Sequence, residues 1–97
     1  MTKNYPNKDA KELFKAILSL KNEKEAVVFF RDLLTLGEIK DFAERLKMAK
    51  LLAQGLPYAE VAKQTHSSTT TVSRVANWLF HGRGGYRLII DRLKSKH

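Results

Sequence analysis

Apolar residues recur at helical spacing along most of the chain, and no stretch alternates apolar and polar positions as a half-buried strand would. Leu13, Phe14, Ile17 and Leu18, with lysines between them, predict a first helix starting near Asn7, with Asn7 or Asp9 as its cap. A second helix follows Lys21-Asn22 and opens with Glu23 and Glu25, the end where negative charge is favourable. Its apolar residues Val27, Val28, Phe29, Phe30, Leu33 and Leu34 cover more than one stripe. A short helix that is apolar on two sides needs two neighbours, and this is the main sequence argument for a homodimer with an interleaved helical core. Thr35 with Glu38 three residues on is a capping-box pattern, which predicts a third helix to about Gln54, stopped by Gly55. Ile39, Phe42, Ala43, Leu46, Ala49, Leu52 and Ala53 form its expected inner face.

The segment from Tyr58 to Gly82 reads as two short helices joined by a tight turn. The first is expected over Tyr58 to Thr65 with Val61 and Ala62 inward, the small Ala62 allowing a close crossing. His66-Ser67 makes the turn and Ser68 caps a helix from Thr69 to about His81, with Val72, Val75, Ala76 and Leu79 as its buried stripe. Many such motifs place Gly where this chain has His66, a position that often needs positive φ, and His tolerates that backbone better than a β-branched residue. After Gly82 and Gly84-Gly85 a last amphipathic helix is expected over 85–95, with Tyr86, Ile89, Ile90 and Leu93 inward. The fold class is therefore all-α, about six helices in one domain. Residues 1–6 are expected to be disordered, 7–54 to supply dimer-core helices, and 58–82 to form a helix-turn-helix.

Composition narrows the class. Hydrophobic residues are 43% and charged residues 29% of the 97, which fits one soluble domain rather than a disordered chain. Apolar runs such as Ala26 to Phe30 are far shorter than the roughly 20 residues that span a bilayer; no signal peptide is visible, and a cytoplasmic location is expected. Cysteine is absent, so disulfides and thiolate metal sites are excluded, and His66, His81 and His97 do not form a spaced metal set. No cofactor is implied. The net charge is +8, and from Tyr58 onward seven Lys/Arg stand against Glu60 and Asp91, a balance of +5. A basic C-terminal part points to a polyanion such as double-stranded DNA, the plain alternative being a solvated lysine surface.

A helix entering the major groove presents its first turns to base edges. Here those residues are Thr69, Thr70 and Ser73, with Asn77 a turn further on. Threonine offers a hydroxyl and a methyl, and Asn pairs with adenine. Ser68, Lys63 and Arg74 complete the expected DNA-facing set, Arg74 as phosphate clamp, base reader or carboxylate partner, and partly covered beside Val75. Arg45 is placed near the DNA face or near a pocket between helices. A surface run of β-branched residues stabilised by the Ser68 cap is the plain reading of the three threonines. The segment His81-Gly-Arg-Gly-Gly follows a helix and lacks the Gly-Lys-Ser/Thr ending of a phosphate loop, so it reads as a helix stop. No nucleophilic triad, carboxylate pair or nucleotide fingerprint is present, and the chain is read as a non-enzyme.

The run from Leu34 to Gly55, LTLGEIKDFAERLKMAKLLAQG, followed by Val61-Ala62 and by Thr71-Val-Ser-Arg74-x-x-Asn77, resembles the Trp repressor superfamily, and the whole chain resembles its YerC/YecD-type branch. The resemblance implies an intertwined all-α dimer whose two recognition helices, about 34 Å apart, read a pseudo-palindromic operator. It also places Thr35, Arg45, Thr71 and Arg74 at the positions that help form the corepressor pocket of the Trp repressor. Where that repressor has a small glycine and a ligand-contacting serine, this chain has Val75 and Trp78. These side chains are expected to fill the pocket, making it vestigial and arguing against tryptophan as effector; whether another small molecule binds is left open. The expectation is a sequence-specific DNA-binding transcription regulator, a repressor; a helical dimeric interaction or assembly module, and a nonspecific RNA or nucleoid binder, are the alternatives.

Overall fold

The computed structural model describes residues 4–95. Among them the chain forms six helices and no strand: α1 (Lys8–Leu18), α2 (Glu23–Leu33), α3 (Leu36–Ala53), α4 (Tyr58–Thr65), α5 (Thr69–His81) and α6 (Gly85–Ser95). The fold is all-α, and none of these helices is long and apolar enough to cross a membrane. Residues 1–3 of the expected disordered segment lie outside the described residues. Packing divides the chain into two compact units, one reaching to Ile39 and one beginning at Lys40.

In the first unit side chains set the helix starts. Asn7 Oδ1 accepts from the Ala10 amide at 2.8 Å and Asn22 Oδ1 from the Glu25 amide at 2.9 Å, each satisfying an N–H that the helix leaves unpaired. The Thr35 and Glu38 pair closes as a reciprocal box: the Thr35 amide donates to Glu38 Oε1 at 2.9 Å and the Glu38 amide to Thr35 Oγ1 at 3.1 Å. What these helices do not do is bury anything. No residue of α1 or α2 is buried, and Leu18 is 83% exposed with Val27 and Val28 near 60%. Leu13, Ile17, Phe29 and Phe30 are half-buried, while Leu18, Val27, Val28 and Leu33 stand open.

The second unit has a closed core. Met48, Ala49 and Leu52 of α3 meet Val61 and Ala62 of α4, Val72, Val75, Ala76 and Leu79 of α5, and Ile90 of α6. Each fully buried aliphatic side chain contributes about 1.5–3 kcal/mol, so this cluster is what holds α4 and α5 as one body. The expected α5 stripe is buried in full. The α3 face is narrower than its periodicity implies: Phe42 is 48% exposed and Ala43 is open, whereas Met48, absent from the expected face, is among the most buried residues. Among the described residues of α6 only Ile90 is buried, with Ile89 and Leu93 exposed at 43% and 38%. Both departures follow from which side of each helix is turned toward the cluster that α4 and α5 close.

Two backbone stops frame α4. At the end of α3 the Leu56 amide reaches the Leu51 carbonyl at 3.3 Å and the Gly55 amide reaches Leu52 at 2.9 Å, with Gly55 at φ +92°. At the end of α4 the Ser67 amide reaches Ala62 at 2.9 Å and the His66 amide reaches Lys63 at 3.4 Å, with His66 at φ +53°. These are Schellman closures, in which a left-handed residue lets the chain reverse and satisfy the last carbonyls.

Candidate nucleic-acid interface

The turn geometry decides what α5 presents. His66 adopts the left-handed conformation, so the chain leaves α4 sharply and re-enters a helix after two residues. Thr65 is the buried polar residue of this corner, and its hydroxyl donates to the Val61 carbonyl at 2.7 Å, so nothing polar is left unpaired there. Sequence reasoning missed Thr65, although a threonine at the last position of a short helix has a carbonyl one turn back within reach. Ser68 then caps α5, its Oγ accepting the Thr71 amide at 3.2 Å. The same Oγ lies 3.1 Å from Thr71 Oγ1.

With Val72, Val75, Ala76 and Leu79 buried, the helical period of about 3.6 residues turns Thr70, Arg74, Asn77 and His81 to the opposite side, with Thr69 and Ser73 on one flank. All of these are exposed, as are Lys63 and Ser68. Arg74 is thus more open than its place beside Val75 suggests: Val75 is 1% exposed, but its neighbour projects from the far side of the helix. Neither Lys63 nor Arg74 is part of the ion pairs Lys15 with Glu12 and Lys40 with Glu44, which are long at 3.9 Å and lie elsewhere. The result is a hydroxyl-, amide- and guanidinium-bearing ridge with hydrogen-bonding capacity that the protein itself does not use.

The other flank of α5 carries Trp78. Its ring lies 5.8 Å from the Arg45 guanidinium carbon, which is also 5.3 Å from the Phe42 ring. Trp78, Leu46, Arg83, Gly85, Tyr86 and Ile89 line an open apolar cavity of about 440 Å³. Burial raises the pKa of the Tyr86 hydroxyl above 10.0, and the Arg45 charge pulls it partly back, so Tyr86 stays neutral at physiological pH. Of the residues assigned to a pocket by resemblance, Arg45 and Trp78 come together, Val75 is sealed in the core, Thr71 is engaged with the Ser68 cap, and Thr35 serves the α3 cap. The cavity residues Arg83 and Tyr86 were not singled out from sequence, the helical repeat from Gly85 onward having marked Tyr86 only as apolar.

A family model described as Trp repressor protein matches residues 8–94. The chain is 41% identical over 88 residues to the uncharacterized protein YerC of Bacillus subtilis (strain 168), covering 91% of this chain and 85% of that protein. Two crystal structures share its fold at 38% identity. A TrpR-like protein from Eubacterium eligens ATCC 27750 superposes with a TM-score of 0.88 over 94% of both chains. A candidate Trp repressor from Staphylococcus aureus superposes with a TM-score of 0.89, over 97% of this chain and 94% of that one.

Proposed function

Because this chain belongs to the Trp repressor protein family, a family of transcription regulators rather than enzymes, we propose that it is a homodimeric regulator that binds specific double-stranded DNA and represses transcription. The observation that carries the reading is the outer ridge of α5, where Thr69, Thr70, Ser73, Arg74 and Asn77 stand exposed above a wholly buried stripe. Thr69, Thr70, Ser73 and Asn77 meet base edges; Arg74, Lys63 and the capping turn at Ser68 meet phosphates. The exposed apolar faces of α1 and α2 support the homodimer, since a soluble monomer rarely leaves such surface open. A groove of about 360 Å³ along α3, lined by Ala43, Leu46 and Leu51 with Lys47, Lys50 and Gln54 beside them, adds to the surface a second copy would cover.

Tryptophan is not the effector in this proposal. Val75 is buried in the core where the resemblance calls for a small glycine, and Trp78 already stands against the Arg45 guanidinium. Isothermal calorimetry with tryptophan should give no saturable heat; micromolar binding would refute this part.

The whole reading is tested by selecting duplexes from a random pool and measuring anisotropy against salt. One sequence class should be enriched, and log K should fall by about 0.9 per phosphate neutralised for each unit of log salt. A stable dimer with no affinity for any duplex would instead mark an assembly module.

A further inference from the structure

We propose that Arg45 is a positioning residue for DNA binding: its guanidinium, held between the Phe42 and Trp78 rings, fixes the outward aim of α5 and does not itself contact phosphate. The inference rests on the DNA-binding reading above.

The backbone of α5 packs against α4 and α6. Its flank toward α3 carries Trp78, which is 45% exposed and therefore not held by burial alone. The side chain that reaches it is Arg45, with its guanidinium carbon 5.8 Å from the Trp78 ring and 5.3 Å from Phe42, the residue one turn earlier on α3. Both separations lie within the range of about 6 Å at which a cation is attracted to an aromatic face. Among the described residues Arg45 has no ion-pair carboxylate; its charge lies against the Phe42 and Trp78 rings and is also felt by the Tyr86 hydroxyl. A planar guanidinium suits two ring faces in a way that an ammonium does not. Trp78 occupies the helical turn after Arg74 and follows Asn77 directly, so a rotation of α5 released at Trp78 turns the reading ridge with it.

The test uses the full chain and a duplex enriched from the random pool. Arg45→Met and Trp78→Leu should each weaken binding about tenfold, as expected for losing one or two half-exposed cation–π contacts. Three readouts separate positioning from other roles. First, the salt dependence should be unchanged in Arg45→Met, whereas a slope shallower by about 1.8, one phosphate lost per half-site of the dimer, would place Arg45 on a phosphate and overturn the proposal. Second, Arg45→Met with Trp78→Leu should be little worse than either alone; losses that multiply would mean two independent contacts and also overturn it. Third, Trp78 is the sole tryptophan, so its emission should shift in Arg45→Met and move only part of the way in Arg45→Lys; identical emission would refute the contact itself. Thermal melts show which variants fold, and Arg45→Lys and Trp78→Phe replace any that do not. If the parent chain binds no duplex, the DNA-binding reading fails and the positioning role falls with it. If the parent binds and Arg45→Met binds equally well, the positioning role alone is refuted.

Discussion

The turn between α4 and α5 offers the sharpest stability test, because His66 is the non-glycine residue with positive φ among the described residues. A left-handed backbone costs an ordinary L-residue about 1–2 kcal/mol, and His sits at the tolerant end of that range. His66→Gly removes this strain but gives back about 0.5–1 kcal/mol through greater freedom of the unfolded chain. The expected net change is therefore between zero and about 1 kcal/mol of stabilisation. His66→Val puts a β-branched side chain at φ +53°, where a further loss of roughly 1–2 kcal/mol is expected. At about 4–8 °C per kcal/mol for a chain of this length, Val should lower Tm by roughly 5–15 °C, while Gly should hold or slightly raise it. Far-ultraviolet circular dichroism at fixed protein concentration measures both, since a dimer's Tm depends on concentration. A valine variant melting with the parent would mean that the turn is not left-handed, and the Schellman account of how α5 is launched would be wrong.

Arg74→Ala, which removes one phosphate contact from each half of the proposed dimer, should weaken DNA binding and reduce the salt slope by about 1.8, so that the affinity lost between 50 and 200 mM salt becomes roughly 12-fold smaller than for the parent, as anisotropy titrations would read; its Tm should match the parent because Arg74 is exposed. Gly82→Ala should destabilise by about 1–3 kcal/mol in thermal melts although its φ of −84° is ordinary, because a Cβ there runs into the Trp78 carbonyl, the group that accepts the Gly82 amide. Gly55→Ala should cost about 1–2 kcal/mol for the opposite reason, having open space around the added carbon but φ +92°. Val28→Asp should abolish dimerisation in sedimentation equilibrium while leaving helical signal from the second unit; a dimer as stable as the parent would remove α2 from the interface.

Much of the fold was legible because local chemistry and periodicity agreed. Asn7, Asn22, Thr35 and Ser68 each cap the helix that follows, and such caps are written within four residues of sequence. The bounds of α4 and α5 follow for the same reason, with His66 marking the corner. What was not legible depends on three-dimensional neighbours. Met48 and Phe42 are both apolar residues of α3, and only the position of α4 and α5 decides that one is buried and the other open. The exposure of Arg74 and the ring-lined seat of Arg45 are likewise consequences of helix rotation, which a hydropathy pattern gives to no better than a neighbouring position.

The division of buried surface assigns different work to the two units. Residues beginning at Lys40 carry a core of their own, so the aim of α5 is set by side chains present in each copy of the chain. Neither α1 nor α2 has a buried residue, so in the proposed dimer their open apolar surface, at about 1.5–3 kcal/mol for each large side chain covered, becomes stabilising where the second copy covers it. Base reading and dimerisation are then separable in mutation. If the proposed function holds, a change on the α5 ridge should alter which duplex is bound at each half-site, whereas a change on α1 or α2 should alter whether two half-sites are bound together, and only the second should make affinity depend on protein concentration.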